Sequence, residues 1–113
     1  MKIPKKLKIG GHKIAVVYPH KFKERTDAFG YFNISTNEIL ITNIDANGHA
    51  CSESQIESTF WHEVFHVINH IYCCRGLGRA TDTEDMVEAL AQGMVQFLRD
   101  NFKDLELKDA VDT

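Results

Sequence analysis

The chain has 113 residues, of which 43% are apolar, enough to bury one modest core. The formal net charge is only -3, and no run of about eighteen apolar residues could cross a membrane. Lysines interrupt residues 1–8, so the N-terminus lacks the apolar segment of a signal peptide. The three cysteines include the neighbours Cys73 and Cys74, which cannot pair without strain, so no disulfide framework is expected. We therefore expect a soluble single domain in a reducing cytoplasm.

Charge is distributed unevenly along the chain. Residues 1–25 carry eight Lys or Arg against Glu24 alone, a balance of +7, so the remaining residues carry -10. Such a basic segment could contact nucleic acid or an acidic partner. Because its lysines alternate with strand-forming residues, a solvated strand face is the favoured interpretation and nucleic-acid binding is not expected.

A first β-hairpin is predicted near the N-terminus. Residues 7–9 and 12–18 alternate apolar and polar side chains on either side of Gly10-Gly11. A glycine pair permits a tight primed turn between two antiparallel strands.

A second hairpin is predicted from residues 28–34 and 38–42, which are rich in aromatic and branched side chains and flank a polar turn. Ile39 and Ile41 are expected to face the core. Gly30, within a strand, indicates either a bulge or a place where another group approaches the backbone closely.

Two helices are predicted in the second half of the chain. The first runs from Ser52 to Cys74, with Ser52 as N-cap and Gln55 completing a capping box. Its apolar stripe is Ile56, Phe60, Val64, Val67, Ile68 and Ile71. The second runs from about Asp82 to Asn101 and must pack on the sheet or on the first helix. Its apolar face is predicted to be Met86, Val87, Leu90, Ala91, Met94, Val95, Phe97 and Leu98.

A His-Glu-x-x-His motif lies in the middle of the first predicted helix. His62 and His66 share one helical face about 6 Å apart along the axis, so both imidazoles can converge on one cation. Glu63 flanks that face and is placed to hydrogen-bond a water on the metal. This pattern is typical of hydrolytic zinc sites. In the alternative interpretation, the two histidines are polar-face residues bonded to their neighbours.

A catalytic zinc needs a third protein ligand, and the candidates lie on the second helix: Glu84, Asp85 and Glu88. Projection of that helix puts the centre of its apolar face near Met94 and Val87. Glu84 then lies about 80° from this centre and Glu88 about 120°. Glu84 is therefore preferred and Glu88 comes second, although the helix dipole also favours an acidic residue in the first turn without any metal.

These residues resemble a known family. The segment 62–70, His-Glu-Val-Phe-His-Val-Ile-Asn-His, followed by the glutamate-bearing helix, is similar to the ImmA/IrrE-like zinc metallopeptidases and the small phage and prophage proteins related to them. In that family the ligand glutamate precedes a small or apolar residue by three positions, an aromatic residue or leucine by six, and an alanine by seven. The residues that match this spacing are Glu84, Val87, Leu90 and Ala91. The resemblance covers roughly residues 7–101.

The resemblance implies an α+β fold for the single domain, residues 1–101. Residues 102–113 are acidic and weakly apolar, and we expect them to form a tail. In this minimal zincin-like domain, a small antiparallel sheet of three to four strands packs on the motif helix and a second helix. It further implies a metallopeptidase with one Zn²⁺ held by His62, His66 and Glu84, and Glu63 as general base. The implied substrate is a regulatory protein such as a repressor, in a bacterial host or phage-infected cell, and an edge strand can pair with an extended peptide.

Other roles in the site have candidates but no assigned residue. The group that steadies the tetrahedral oxyanion could be Tyr31, His70 or Arg79. His49, in a polar loop before the first helix, is a possible site contact because loops can fold over a site.

Two rival functions remain. One is a non-catalytic, zinc-stabilised module that binds a regulatory protein or nucleic acid through the basic hairpin. The other is a metal-free interaction domain in which the histidines are incidental.

Overall fold

A computed structural model describes residues 2–23, 28–73 and 83–104, and within the last range the side chains from residue 89 onward. Within these described ranges, four strands are followed by two helices, which confirms the predicted α+β class. The elements are β1 (Lys6–Ile9), β2 (His12–Val17), β3 (Gly30–Asn33), β4 (Glu38–Ile41), α1 (Glu53–Tyr72) and α2 (Thr83–Asn101).

The first hairpin, β1 and β2, forms as predicted. Gly10 and Gly11 connect the strands with φ angles of 58° and 84°, which glycine adopts without steric cost. Leu7 and Ile9 are buried, whereas Lys6 and Lys8, which alternate with them along β1, are exposed. This alternation confirms that the basic segment presents its lysines on a solvated strand face.

The sheet is mixed, and the prediction of an antiparallel sheet is wrong in one pairing. The strand order is β1-β2-β4-β3, and β2 runs parallel to β4. The predicted second hairpin, β3 with β4, is confirmed as antiparallel. Parallel neighbours need a connection of about a dozen residues or more, and the segment between Val17 and Glu38, which includes β3, is long enough to supply it. This order puts the fully buried Ile39 and Ile41 in the interior of the sheet.

Helix α1 packs across the sheet and carries the histidine motif. The Gln55 backbone N–H donates to Ser52 Oγ over 3.1 Å, which confirms the predicted N-cap. The helix ends at Tyr72, slightly before the predicted end at Cys74, which lies outside the described residues. The residues buried in the core are Leu7, Ile9, Ile14, Val16, Phe32, Ile39, Ile41, Phe60, Val64, Val67, Ile68 and Phe97.

Helix α2 packs on the core through most of the predicted face that is described, since Leu90, Met94, Phe97 and Leu98 all pack there as predicted. A Cβ added at Gly93 would lie 2.6 Å from Ile68 Cγ2, and the buried Phe97 ring lies 5.8 Å from that of Trp61. Ala91 and Val95, predicted to face the core, are exposed. Residues two positions either side of a helical residue point away from it, so a contact centred on Gly93 turns both outward. The prediction was wrong at these two residues because Gly93, which carries no hydrophobic signal, lies at the contact.

Side chains of α2 also cap the β1 edge of the sheet. Asn101 Oδ1 accepts from the Lys8 N–H over 2.7 Å, and Asn101 Nδ2 donates to the Lys8 carbonyl over 2.7 Å. Gln96 Oε1 accepts from the Gly10 N–H over 2.6 Å. The outward backbone groups of Lys8 and the Gly10 N–H are therefore satisfied, which hinders pairing of an additional strand at this end of the edge.

Neither described helix is apolar enough over a sufficient length to span a bilayer.

Most of the predicted acidic tail, residues 105–113, lies outside the described residues.

Candidate metal centre

The two motif histidines meet on the exposed face of α1. His62 Nε2 and His66 Nε2 are 3.1 Å apart, and their ring centroids are 4.7 Å apart. Two nitrogens bound to one tetrahedral zinc at the usual zinc–nitrogen distance are about 3.3 Å apart. The pair therefore fits two corners of a zinc site, and the same distance also permits one hydrogen bond between neutral rings.

Glu63 is buried although it neighbours an exposed histidine. Only 5% of its surface is exposed. Burial raises the pKa of the Glu63 carboxyl above its ordinary value, and His66 and His62 oppose that shift with a smaller effect. A carboxyl with a raised pKa exchanges its proton closer to neutral pH, which suits a general base that later acts as an acid.

Gly30 on β3 lies directly against this carboxyl. A Cβ added at Gly30 would lie 3.0 Å from Glu63 Oε2 and 2.6 Å from Thr59 Cγ2. This contact confirms the prediction that another group approaches the backbone at Gly30. The absence of a side chain is what allows β3 and the Glu63 carboxyl to come together.

A cleft runs between α1 and β3 and has two parts. The larger has a volume of about 350 Å³ and is lined by Gly30, Tyr31, Phe32, Ile34, His62, Glu63, His66, Asn69 and His70. The smaller has a volume of about 240 Å³ and is lined by Phe29, Gly30, Gln55, Ser58, Thr59, His62 and Glu63. Both parts share Gly30, His62 and Glu63, so the candidate base lies where they meet.

Alternate residues of β3 point their backbone N–H and C=O groups away from β4, at the edge of the sheet that borders the cleft. The Thr42 N–H donates to the Phe29 carbonyl over 3.0 Å, so Phe29 faces β4. Successive residues of an antiparallel strand alternate between facing the partner and facing outward. The N–H and C=O of Gly30 and Phe32 therefore point away from β4, and in the part of the chain that the structure describes, no strand pairs with this edge.

The third ligand stays a prediction. The side chains of Glu84 and Glu88 lie outside the described residues. Among the residues that are described, no three His, Cys, Asp or Glu side chains cluster in a way that could hold a metal. The preference for Glu84 over Glu88 relied on an apolar face centred near Met94, and Met94 packs against the core together with Leu90, Phe97 and Leu98. Because neither glutamate side chain is described, both need to be tested.

The remaining candidates differ in position. Tyr31 and His70 line the larger part of the cleft, and the His70 ring lies 6.0 Å from that of Phe32. Arg79 lies outside the described residues. His49 does not line the cleft, because its ring lies 3.7 Å from the Asp45 carboxylate in a loop beside a separate cavity of about 180 Å³.

The sequence analysis did not predict several residues that line the cleft, although their spacing from the two histidines along the helix could have identified them. Counting back and forward from the histidines in steps of three and four gives Gln55, Thr59, His62, His66 and Asn69, which share one helical face. The exposed apolar residues Phe29 and Ile34 carried no such signal, since they flank a short strand.

Comparison with protein-family models, curated proteins and solved structures gave no match to this chain.

Proposed function

We propose that the chain is a zinc-dependent metallopeptidase with a minimal zincin-like fold. The observation that carries the proposal is the convergence of the His62 and His66 nitrogens at a cleft into which the Glu63 carboxyl opens. Two nitrogen donors, a poised carboxyl and an adjoining cleft are the parts that metal-assisted hydrolysis requires.

In this proposal His62, His66 and Glu84 hold the metal, with Glu88 as the alternative third ligand. The spacing of the two imidazole nitrogens is compatible with tetrahedral coordination. When bound, zinc supplies a Lewis acid and makes water acidic enough to ionise near neutral pH.

Glu63 performs the proton transfers. Its carboxyl opens to both parts of the cleft, so Oε2 can accept a proton from water there and return it to the leaving amine nitrogen. Burial raises the pKa of this carboxyl and so strengthens it as a base relative to a fully exposed glutamate.

The outward backbone groups of Gly30 and Phe32 are proposed to bind the substrate. An extended peptide that adds to the β3 edge forms backbone hydrogen bonds there and lies alongside Glu63. The family resemblance extends the proposal to regulatory proteins, such as repressors, as the source of the peptide.

The test is hydrolysis by zinc-loaded protein. A mixture of defined peptides is incubated with the wild type and Glu63→Gln, and cleavage products are identified by mass spectrometry. We expect Glu63→Gln to retain zinc and to lose at least about a hundredfold in rate, the scale of a general-base contribution. Glu53→Gln, an exposed change on the same helix, is the matched control and should cleave like the wild type. Cleavage that is equally fast in Glu63→Gln would contradict the proposal.

The second candidate, a zinc-stabilised binding module, has one observation in its favour: the exposed lysines of β1 and β2. Lys6, Lys8 and Lys13 all lie on the solvated part of the first hairpin. A module of this kind would keep its partner binding in Glu63→Gln and lose it when these lysines are changed to glutamate.

A further inference from the structure

The sheet has one covered face and one bare face. Both described helices pack on the face that buries Leu7, Ile14 and Ile39. Side chains alternate between the two faces along each strand. The bare face therefore carries the residues between the buried ones, all of them exposed or half-buried: Lys6, Lys8, Lys13, Ala15, Val17, Tyr31, Asn33, Glu38 and Leu40.

Three lysines form a cluster at the β1 side of the bare face. Lys6, Lys8 and Lys13 are exposed, and Lys8 lies directly opposite Lys13 in the pairing of β1 with β2. Like charges directly opposite each other on neighbouring strands are destabilising. In the described part of the chain none of the three forms an ion pair, and the one carboxylate on this face, Glu38, lies two strands away from β1. An anionic ligand relieves the repulsion within this lysine cluster.

The bare face is continuous with the candidate site. Val17, Leu40 and Tyr31 are register neighbours on three adjacent strands, and Tyr31 also lines the cleft. Three strand spacings of about 4.8 Å place β3 about 14 Å from β1. Because an extended chain advances at most about 3.5 Å per residue, about four residues or more lead from a peptide on the β3 edge to the lysine cluster.

The lysine cluster suits an acidic peptide better than a nucleic acid. Lys6 and Lys8 are about 6.7 Å apart along β1, the spacing of alternate side chains in an extended peptide. The half-buried Ala15 and Val17 beside them on β2 can pack against aliphatic side chains. A nucleic-acid strand binds through bases stacked on aromatic groups, and the described aromatic side chain of this face, Tyr31, lies at the opposite edge.

We infer that the lysine cluster binds an acidic segment of the substrate protein while a neighbouring segment of the same protein lies on the β3 edge. Residues 1–25 carry a charge of +7 and the remaining residues -10, so an acidic segment is repelled by the rest of the chain and attracted here. The inference rests on the proposed peptidase function. It adds a substrate class: proteins with an acidic segment at least about four residues from the bond that is cleaved.

The experiment uses one cleavable peptide from the mixture of the preceding test, extended by a Gly-Ser linker and a run of either glutamates or glutamines. With a linker of about eight residues, we expect the glutamate peptide to have a KM about tenfold lower at the same kcat. The gain should disappear in about 0.5 M salt, and with a linker of about two residues, which cannot span the sheet.

Two double variants locate the binding surface. Lys8→Glu with Lys13→Glu should remove the gain. Lys21→Glu with Lys23→Glu makes the same charge change at exposed positions beyond the other end of β2, so it is the matched control and should keep the gain. Both peptides, and a single-stranded oligonucleotide of equal charge, are also titrated onto Glu63→Gln by fluorescence anisotropy, with and without the Lys8 and Lys13 changes.

The outcomes separate the two proposals. A gain that survives Lys8→Glu with Lys13→Glu, that persists with the short linker, or that the control loses equally overturns the inference and leaves the peptidase standing. If no hydrolysis depends on Glu63, the peptidase proposal fails, and binding alone decides the inference. Lysine-dependent preference for the glutamate peptide then supports the acidic-segment surface, and equal affinity for both peptides overturns it. Tighter lysine-dependent binding of the oligonucleotide overturns it in favour of a nucleic-acid surface.

Discussion

At the scale of single residues, the candidate site combines an exposed imidazole pair with a buried carboxyl. His62 and His66 are accessible, while Glu63 is almost covered by the chain. The motif alone predicted that these three residues belong to one site, and their roles as metal ligands and general base stay predictions. It could not predict that Glu63 would be buried, because that burial depends on the contact with Gly30, which is distant in sequence.

The buried Glu63 makes the stability of the metal-free protein depend on pH. Its pKa in the folded state is raised above the ordinary 4.5, so protonation stabilises the fold. This contribution is complete below 4.5 and is lost as pH rises through the folded-state pKa. Glu63→Gln removes the ionisation, so in chelator we expect its free energy of unfolding to exceed the wild-type value by a margin that widens with pH. Urea unfolding across a pH series measures that margin, and a constant difference would contradict the prediction.

Gly30→Ala is expected to disturb the candidate site directly. The added methyl would lie 3.0 Å from Glu63 Oε2 and 2.6 Å from Thr59 Cγ2, so both side chains must give way, the carboxyl by a few tenths of an ångström. Because a misplacement of about 1 Å costs roughly a hundredfold, this smaller shift of the proposed base is expected to lower the rate of peptide hydrolysis by about tenfold. Steady-state rates with the zinc-loaded variant test this, and an unchanged rate would show that the position of Glu63 does not depend on Gly30.

At the scale of elements, local signals predicted the two hairpins and both helices, since turns and caps are encoded by neighbouring residues. The glycine pair of the first turn and the Ser52 cap are examples. The parallel contact between β2 and β4 has no local signal, because it joins residues separated by the whole of β3. The part that Gly93 plays in the packing of α2 was missed for a related reason: glycine has no side chain to signal it.

Gly93→Ala tests the contact at Gly93. An added methyl would lie 2.6 Å from the side chain of Ile68, which is fully buried and cannot easily give way. Overpacking costs about 1–3 kcal/mol, and the better helix propensity of alanine returns about 1 kcal/mol. We expect a net loss of about 1 kcal/mol in the free energy of unfolding, with hydrolysis unchanged. A gain in stability on thermal or urea unfolding would place the helix contact elsewhere.

The α2 amides that cap β1 can be removed in a double variant, Gln96→Ala with Asn101→Ala. The outward N–H and C=O of Lys8 and the N–H of Gly10 then lose their side-chain partners. We expect a loss of about 1–3 kcal/mol and self-association through the freed strand edge. Urea unfolding and sedimentation velocity measure the two effects, with the exposed Arg99→Ala as control. A monomer of wild-type stability would show that these bonds do not protect the edge.

At the scale of the whole molecule, the two edges of the sheet differ in how their backbone groups are hydrogen-bonded. The β1 edge is capped by side chains of α2, whereas in the described part of the chain the β3 edge stays open beside His62, Glu63 and His66. Of these two edges, the β3 edge is therefore the one that leaves its backbone groups accessible to an added strand, and it borders the cleft. The strand order that produces it could not be predicted from the hairpins, because each hairpin is compatible with several positions in the sheet.

The zinc content of the purified protein tests the central claim most directly. After zinc loading and desalting, elemental mass spectrometry should find about one zinc per wild-type chain and less than about a tenth in His62→Ala and His66→Ala. Glu84→Ala should lose more zinc than Glu88→Ala, and His49→Ala should retain the wild-type amount. Less than about a tenth of an equivalent in the wild type, or full zinc content in both histidine variants, would contradict the account.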